Sequence, residues 1–173
     1  MRKFLLEGLL RRPLTEAAPT DPEIAAMALA TGQAARRRLG RSLSIRQLDA
    51  GSCNGCELEI HALSNPYYDL ERFGLHFVAS PRHADVLLVT GPVTKNMTEA
   101  LQRTYAAMPN PKWVVAVGDC GRDGGCFAGS YAVEGGVSAV LPVDLVIPGC
   151  PPSPKALLTG LLSLLDAAEG KRA

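Results

Sequence analysis

Aromatic side chains make up only 5% of this 173-residue chain, and its net charge at pH 7 is +1. That combination leaves no basic surface interleaved with stacking rings, the usual footprint of a nucleic-acid binder. No apolar run reaches the roughly 18 residues that a membrane-spanning helix needs. The opening "MRKFLLEGLLRRP" is interrupted by Glu7 and Arg11 and is followed by no small-residue cleavage site, which makes it a poor secretion signal. Arg36, Arg37 and Arg38 precede no long apolar stretch, so a twin-arginine export signal is not expected either. There is no Ser-His-Asp set and no phosphate loop, and "GRDGG" lacks the strand and helix that a dinucleotide site requires. The expectation is a chain that stays in the cytoplasm, where thiols remain reduced.

What the chain does have is five cysteines, 17 glycines and 13 prolines on an ordinary globular background of 47% apolar and 20% charged residues. Reduced cysteines in that number point to metal or redox chemistry rather than to disulfide staples. Charge is uneven: residues 1–48 hold nine basic and four acidic side chains, so this part carries +5 and the remainder −4. A basic arm on a mildly acidic body suits an acidic partner or a membrane surface, or is simply a solvated tail.

Residues 1–12 read as a short amphipathic helix with Phe4, Leu5 and Leu9 on one face, and 13–22 as a Pro-rich linker. Asp21 as N-cap and Pro22 at the first helical position open a helix that Gly40 ends. Residues 1–41 are therefore expected to form a basic helical extension, and 42–170 the main domain. Strands are predicted over 42–48, 75–80, 84–91, 112–118 and 143–149, and helices from Cys56, over 96–108 and over 153–170. Near-continuous Val, Leu and Ile runs mark strands buried on both faces, as in parallel sheets. Alternation with helices makes the fold class α/β, a doubly wound parallel sheet.

The cysteines fall on this pattern in a particular way. Cys53 and Cys56 follow the first strand, Cys120 follows "WVVAVG", and Cys150 follows "LVIPG". The C-terminal ends of parallel strands share one edge of the sheet, so four thiols scattered in sequence are expected to meet there. Cys56 lies near a helix N-terminus, where partial positive charge favours a thiolate. Gly51, Gly55, Gly118, Gly121 and Gly149 allow close approach of the backbone to a bound group. Cluster ligation accounts for all four thiols. A thioredoxin-like dithiol would use only Cys53 and Cys56, a four-cysteine zinc site would be built here on a single short knuckle, and inert buried thiols would explain one or two.

"GSCNGCELEI", "SPRHADVLLVTGPVT", "VVAVGDCGRDGG" and "VDLVIPGCPPSP", in this order, resemble one family. It is the small cluster-bearing subunit shared by complex I, as its B-type subunit, and the membrane-bound energy-converting NiFe hydrogenases of the formate hydrogenlyase and hydrogenase-4 type. The resemblance implies a flavodoxin-like fold holding one 4Fe-4S cluster on Cys53, Cys56, Cys120 and Cys150. It also implies an electron-transfer role between a ferredoxin-like subunit and a large catalytic subunit, beside integral membrane subunits at the cytoplasmic face of the membrane. Complex I members carry adjacent cysteines at the first site, so the two-residue spacer of "CNGCE" is similar to the hydrogenase branch. Delivery of electrons to quinone is the complex-I alternative.

Glu59 matches an acidic position of the family at which a carboxylate would relay protons, and Glu57 is a weaker candidate. His61 and His83 are expected to be structural or to face a partner, and Arg82 to meet a partner carboxylate. Gly91 and Thr94 of "GPVTKN" are expected to shape the wall of the site. Cys126 stands where the family more often has an apolar residue and reads as a spare buried thiol, with a redox or alternate-ligand role left open. "GDCG" departs from the more usual small residue and leaves the local hydrogen bonding open.

Overall fold

The computed structural model describes residues 21–167, so the helix expected over 1–12, the linker up to residue 20 and the end of the last helix lie outside the described residues. Asp21 accepts the backbone N–H groups of Glu23 (2.9 Å) and Ile24 (3.4 Å), and helix α1 runs over Pro22–Leu39 as predicted. Gly40, at φ 70°, ends it by donating its N–H to the Arg36 carbonyl. Strand β1 (Leu43–Asp49), helix α2 (Gly55–Ala62) and strand β2 (Leu75–Phe77) follow. Next come β3 (Val86–Thr90), β4 (Val93–Thr94), α3 (Lys95–Ala107) and β5 (Trp113–Val117). The short helix α4 (Gly118–Asp123), β6 (Val133–Gly135), β7 (Leu145–Ile147) and α5 (Pro154–Ala167) complete the described chain.

Five strands form one parallel sheet in the order β2-β1-β3-β5-β7. Counted among themselves they run second, first, third, fourth, fifth, which is the flavodoxin-like doubly wound order. β3 and β5 are buried at every position, as their apolar runs predict. One sheet face packs Leu43, Ile45, Leu88 and Val115 with Ala35 of α1, Ile60 of α2 and Leu158 and Leu161 of α5. The other packs Leu87, Val89, Val114 and Ala116 with Leu101 of α3. Helix α1 lies parallel to α5: Glu23 pairs with Lys155 (2.6 Å), the Thr159 hydroxyl donates to the Met27 sulfur (3.1 Å), and Arg38 donates to the Leu165 carbonyl (3.4 Å).

Two expected strands are shorter than their apolar runs. The one expected to Ser80 stops at Phe77, because Ser80 caps a short turn over Pro81–His83 by accepting the Arg82 N–H. The one expected over 143–149 is confined to Leu145–Ile147, since the Asp144 carboxylate accepts the Val114 N–H (2.9 Å) and Pro148 has no N–H to offer. The small antiparallel β4–β6 pair and α4 follow no hydrophobic periodicity and were not foreseen.

Asp85, 2% exposed, fastens the bottom of the sheet. Its carboxylate accepts two hydrogen bonds from the Arg41 guanidinium and one from the Ser44 N–H (3.0 Å). Replacing it with alanine leaves that N–H without its partner and removes a bidentate ion pair, at a cost of about 2–3 kcal/mol. The expected outcome for Asp85→Ala is a Tm lower by roughly 4–12 °C in calorimetry.

Candidate metal centre

The first pair of cysteines is presented by a loop whose shape is built locally. Asp49 Oδ1 accepts the N–H groups of Gly51 and Ser52, both at 2.7 Å, and the Ser52 hydroxyl accepts the Asn54 N–H at 3.1 Å. Asn54 adopts φ 71° and turns the chain into α2. Cys53 is left exposed ahead of the helix, and Cys56 is half-buried in its first turn. The loop is braced from behind by "GPVT". A Cβ on Gly91 (φ 75°) would lie 2.5 Å from the Ser52 nitrogen, so only glycine lets the β3 loop close up here. The Thr94 N–H and hydroxyl both donate to the Ala50 carbonyl, at 2.9 and 3.0 Å. Gly91 and Thr94 thus support the wall indirectly, through the Cys53 loop.

The other two loops meet this one at Gly118. A Cβ there would lie 2.7 Å from Cys56 Sγ and 3.2 Å from the Gly149 carbonyl oxygen, and φ is 81°. The backbone of Gly118 therefore sits directly against a thiol, in a conformation that disfavours any side chain. The Asp119 N–H donates to the Gly149 carbonyl (2.9 Å), and Asp119 Oδ1 accepts the Gly149 N–H (3.2 Å). Arg122 Nη1 donates to the same carboxylate oxygen (2.9 Å). This answers the question raised by "GDCG": its aspartate latches the Cys120 segment to the Cys150 loop. Cys150 itself is exposed in the Pro148–Pro152 turn, whose Cys150–Pro151 bond is cis.

Electrostatics reports the same gathering of thiols. The Cys56 pKa is pushed from its ordinary 9.0 up to about 12, chiefly by burial and then by Glu57, Cys120, Cys53 and Cys150. The thiolate favoured by a helix N-terminus is thus not the outcome in the metal-free chain: loss of solvent and the nearby acidic groups outweigh that influence. Cys120 is also raised, by burial and by Cys126 and Cys150, while the Cys126 backbone N–H pulls the other way. Because the folded-state pKa of Cys56 lies above its unfolded value, the unfolded chain loses this proton first as pH rises. Stability of the metal-free protein is expected to hold below pH 9 and to decline from pH 9 toward 12. In denaturant melts across that window, Cys56→Ala should flatten the decline.

Soft sulfur donors suit iron or zinc. Among the described residues no three Cys, His, Asp or Glu side chains are drawn together as a site for a single metal ion. Cys56 Sγ and the Gly149 carbonyl both lie against Gly118, and Cys53, Cys120 and Cys150 are near enough to raise the Cys56 pKa; a cationic group bound there would offset the cost that keeps Cys56 protonated. The residues fit a polynuclear cluster in donor type and in the bare backbone they turn toward it.

The remaining candidates are distributed differently from expectation. Glu57 is buried, and neither of its carboxylate oxygens has a hydrogen-bond partner, whereas Glu59 is only half-buried. The sequence ranks Glu59 above Glu57 through the family position alone, whereas burial singles out Glu57. His61, His83 and Arg82 are exposed, which leaves them free to face a partner. Cys126 is exposed rather than buried, because Gly124 and Gly125 at positive φ fold its turn back over Cys120.

A family model described as NADH ubiquinone oxidoreductase, 20 Kd subunit, matches residues 53–164. Formate hydrogenlyase subunit 7 of Escherichia coli is 46% identical over 135 residues, covering 78% of this chain and 53% of that protein. A probable membrane-bound hydrogenase subunit of Pyrococcus furiosus is 46% identical over 128 residues, 74% of this chain and 77% of that protein. The chain thus spans about half the length of the first relative and about three quarters of the second. Among solved structures, a chain of the membrane-bound sulfane sulfur reductase, an archaeal respiratory membrane complex, superposes with a TM-score of 0.68. It is 36% identical, over 80% of this chain and 75% of that one. With four thiols at one sheet edge and a family match over most of its length, the chain belongs to the family of the NADH ubiquinone oxidoreductase 20 Kd subunit.

Proposed function

We propose that this protein is an electron-transfer subunit of a membrane-associated hydrogenase or complex-I-like oxidoreductase, holding one 4Fe-4S cluster on Cys53, Cys56, Cys120 and Cys150. The observation that carries the reading is the meeting of three loops at Gly118, with Cys56 Sγ against bare backbone and the other three cysteines near enough to raise its pKa. When bound, such a cluster exchanges single electrons with neighbouring centres. The chain's own part is to hold four thiolates, to keep water from Cys56, and to fix the loops through Asp49, Asp119 and Thr94. Fixed loops suit electron transfer, since little has to move when charge arrives.

The electron path runs between a ferredoxin-like subunit and the catalytic centre of a large subunit, with integral membrane subunits beside them at the cytoplasmic face. Leu58, 61% exposed and two residues beyond Cys56, and Phe127, 41% exposed and next to Cys126, present apolar surface that suits a partner. No described helix is long and apolar enough to cross a membrane, which fits peripheral attachment. Two relatives are named as hydrogenase or hydrogenlyase subunits, which together with the C-x-x-C spacing favours a NiFe centre in the large partner. The likeness to a chain of a sulfane sulfur reductase supports a second reading, in which the partner performs other reductive chemistry around the same cluster subunit. Glu59, at the half-buried edge of α2, is retained as a carboxylate that relays protons to the partner.

The test of the cluster reading is anaerobic purification of the full chain with iron and acid-labile sulfide analysis and low-temperature EPR. A colourless dithiol protein or a chain with one zinc would overturn it. The sequence of the large subunit encoded alongside then separates the partner readings, because paired C-x-x-C motifs at its two ends indicate NiFe.

A further inference from the structure

The fifth cysteine has no place in a four-thiol ligand set, yet it is not remote from that set. Gly124 and Gly125, at φ 94° and 51°, turn the chain sharply after α4, and the Gly124 N–H donates to the Cys120 carbonyl (2.8 Å). The turn wraps so closely that a Cβ on Gly125 would lie 2.8 Å from Cys120 Sγ and 3.1 Å from Cys120 Cα. Cys126 directly follows Gly125, whose backbone lies against Cys120 Sγ, and it is near enough to act on the Cys120 thiol electrostatically. Cys126 is exposed and Cys120 half-buried, so a soluble reagent meets Cys126 first and Cys120 lies immediately behind it.

We infer that Cys120 and Cys126 form a reversible redox pair, closing to a disulfide in the cluster-free chain and withholding Cys120 from a bound group. The oxidant is a low-molecular-weight disulfide of the glutathione class. The Cys126 thiolate attacks one sulfur of the reagent, which forms a mixed disulfide and releases one equivalent of reagent thiol. Cys120 then attacks Cys126 Sγ, the protein disulfide forms, and the second equivalent leaves; two electrons pass from the two protein thiols to the reagent. An external thiol reverses both steps. In the loaded chain Cys120 is engaged, so the pair is a device of the empty site. The consequence for loading rests on the cluster reading above, whereas the disulfide itself does not.

The full iron-free chain, prepared reduced, is treated with oxidised glutathione, alkylated, and digested with trypsin plus chymotrypsin. Cleavage after Trp113, Arg122 and Phe127 separates Cys120 (residues 114–122) from Cys126 (residues 123–127), and both from Cys150. The expected product is these two peptides joined, lighter by two hydrogens than their sum. In Cys126→Ser the link is absent and Cys120 is recovered alkylated or as a glutathione adduct. Cross-links confined to Cys53 and Cys56, or joining Cys120 to Cys150, would overturn the inference. The oxidised wild-type chain should take up iron and sulfide only after thiol is added, and uptake by a chain whose cross-link is intact would equally overturn it. A reduced chain that takes up no iron while the cross-link forms normally would instead sink the cluster reading and leave the pair standing.

Discussion

Cys150→Ala is expected to purify without a 4Fe-4S cluster, either iron-free or with a smaller iron–sulfur species, while Cys126→Ala retains the cluster of the wild type. The contrast matters because both cysteines are exposed, and exposure alone does not tell them apart. What distinguishes Cys150 is its loop: Gly149 is bonded in both directions to Asp119 and lies against Gly118, and Cys150 is near enough to raise the Cys56 pKa. Cys126 instead follows a glycine turn beyond Cys120 and is not among the thiols that raise the Cys56 pKa. Iron per chain and the EPR spectrum of the dithionite-reduced proteins read the difference directly. Equal loss of iron in both variants would mean that the four-thiol assignment is incorrect.

The second large effect is expected at a residue with no side chain. Gly118→Val would drive a branched side chain into the 2.7 Å gap before Cys56 Sγ and force a β-branched residue to φ 81°. The conformational penalty is about 1–2 kcal/mol and the overpacking about 1–3 kcal/mol. Together they correspond to a Tm lower by roughly 4–20 °C. Cluster content should fall more steeply than stability, because the same displacement moves Cys56 and the Gly149 carbonyl, which face the site. Gly129→Ala is the matching control: its φ is also positive (79°), but nothing lies within 4 Å of the added methyl. It should cost only the conformational part and leave iron binding intact.

The parts of this protein visible in its sequence are those governed by short-range rules. The Asp21–Pro22 start and Gly40 end of α1 are capping chemistry, and the buried β3 and β5 are apolar runs of strand length. The expectation that Cys53, Cys56, Cys120 and Cys150 meet rests on one topological rule, that parallel strands deliver their C-terminal ends to a common edge, and the parallel sheet order is the part of it that the structure shows. What escaped the sequence depends on contacts between distant segments. The pKa of Cys56 is set by burial and by thiols up to 94 positions away, against the local influence of its helix terminus. Glu57 and Glu59 look alike in "CELEI", and only the packing of α2 decides that the first is buried. Cys126 is expected in the interior because it stands where the family more often has an apolar residue, but it follows two glycines. Those glycines take positive φ and turn it outward against Cys120.

The most direct test is the metal content and low-temperature EPR of the full chain purified without oxygen. The four-thiol site predicts about four irons and four sulfides per chain and a reducible signal of a 4Fe-4S cluster. A folded, colourless protein with no iron, or with a single zinc, would contradict it.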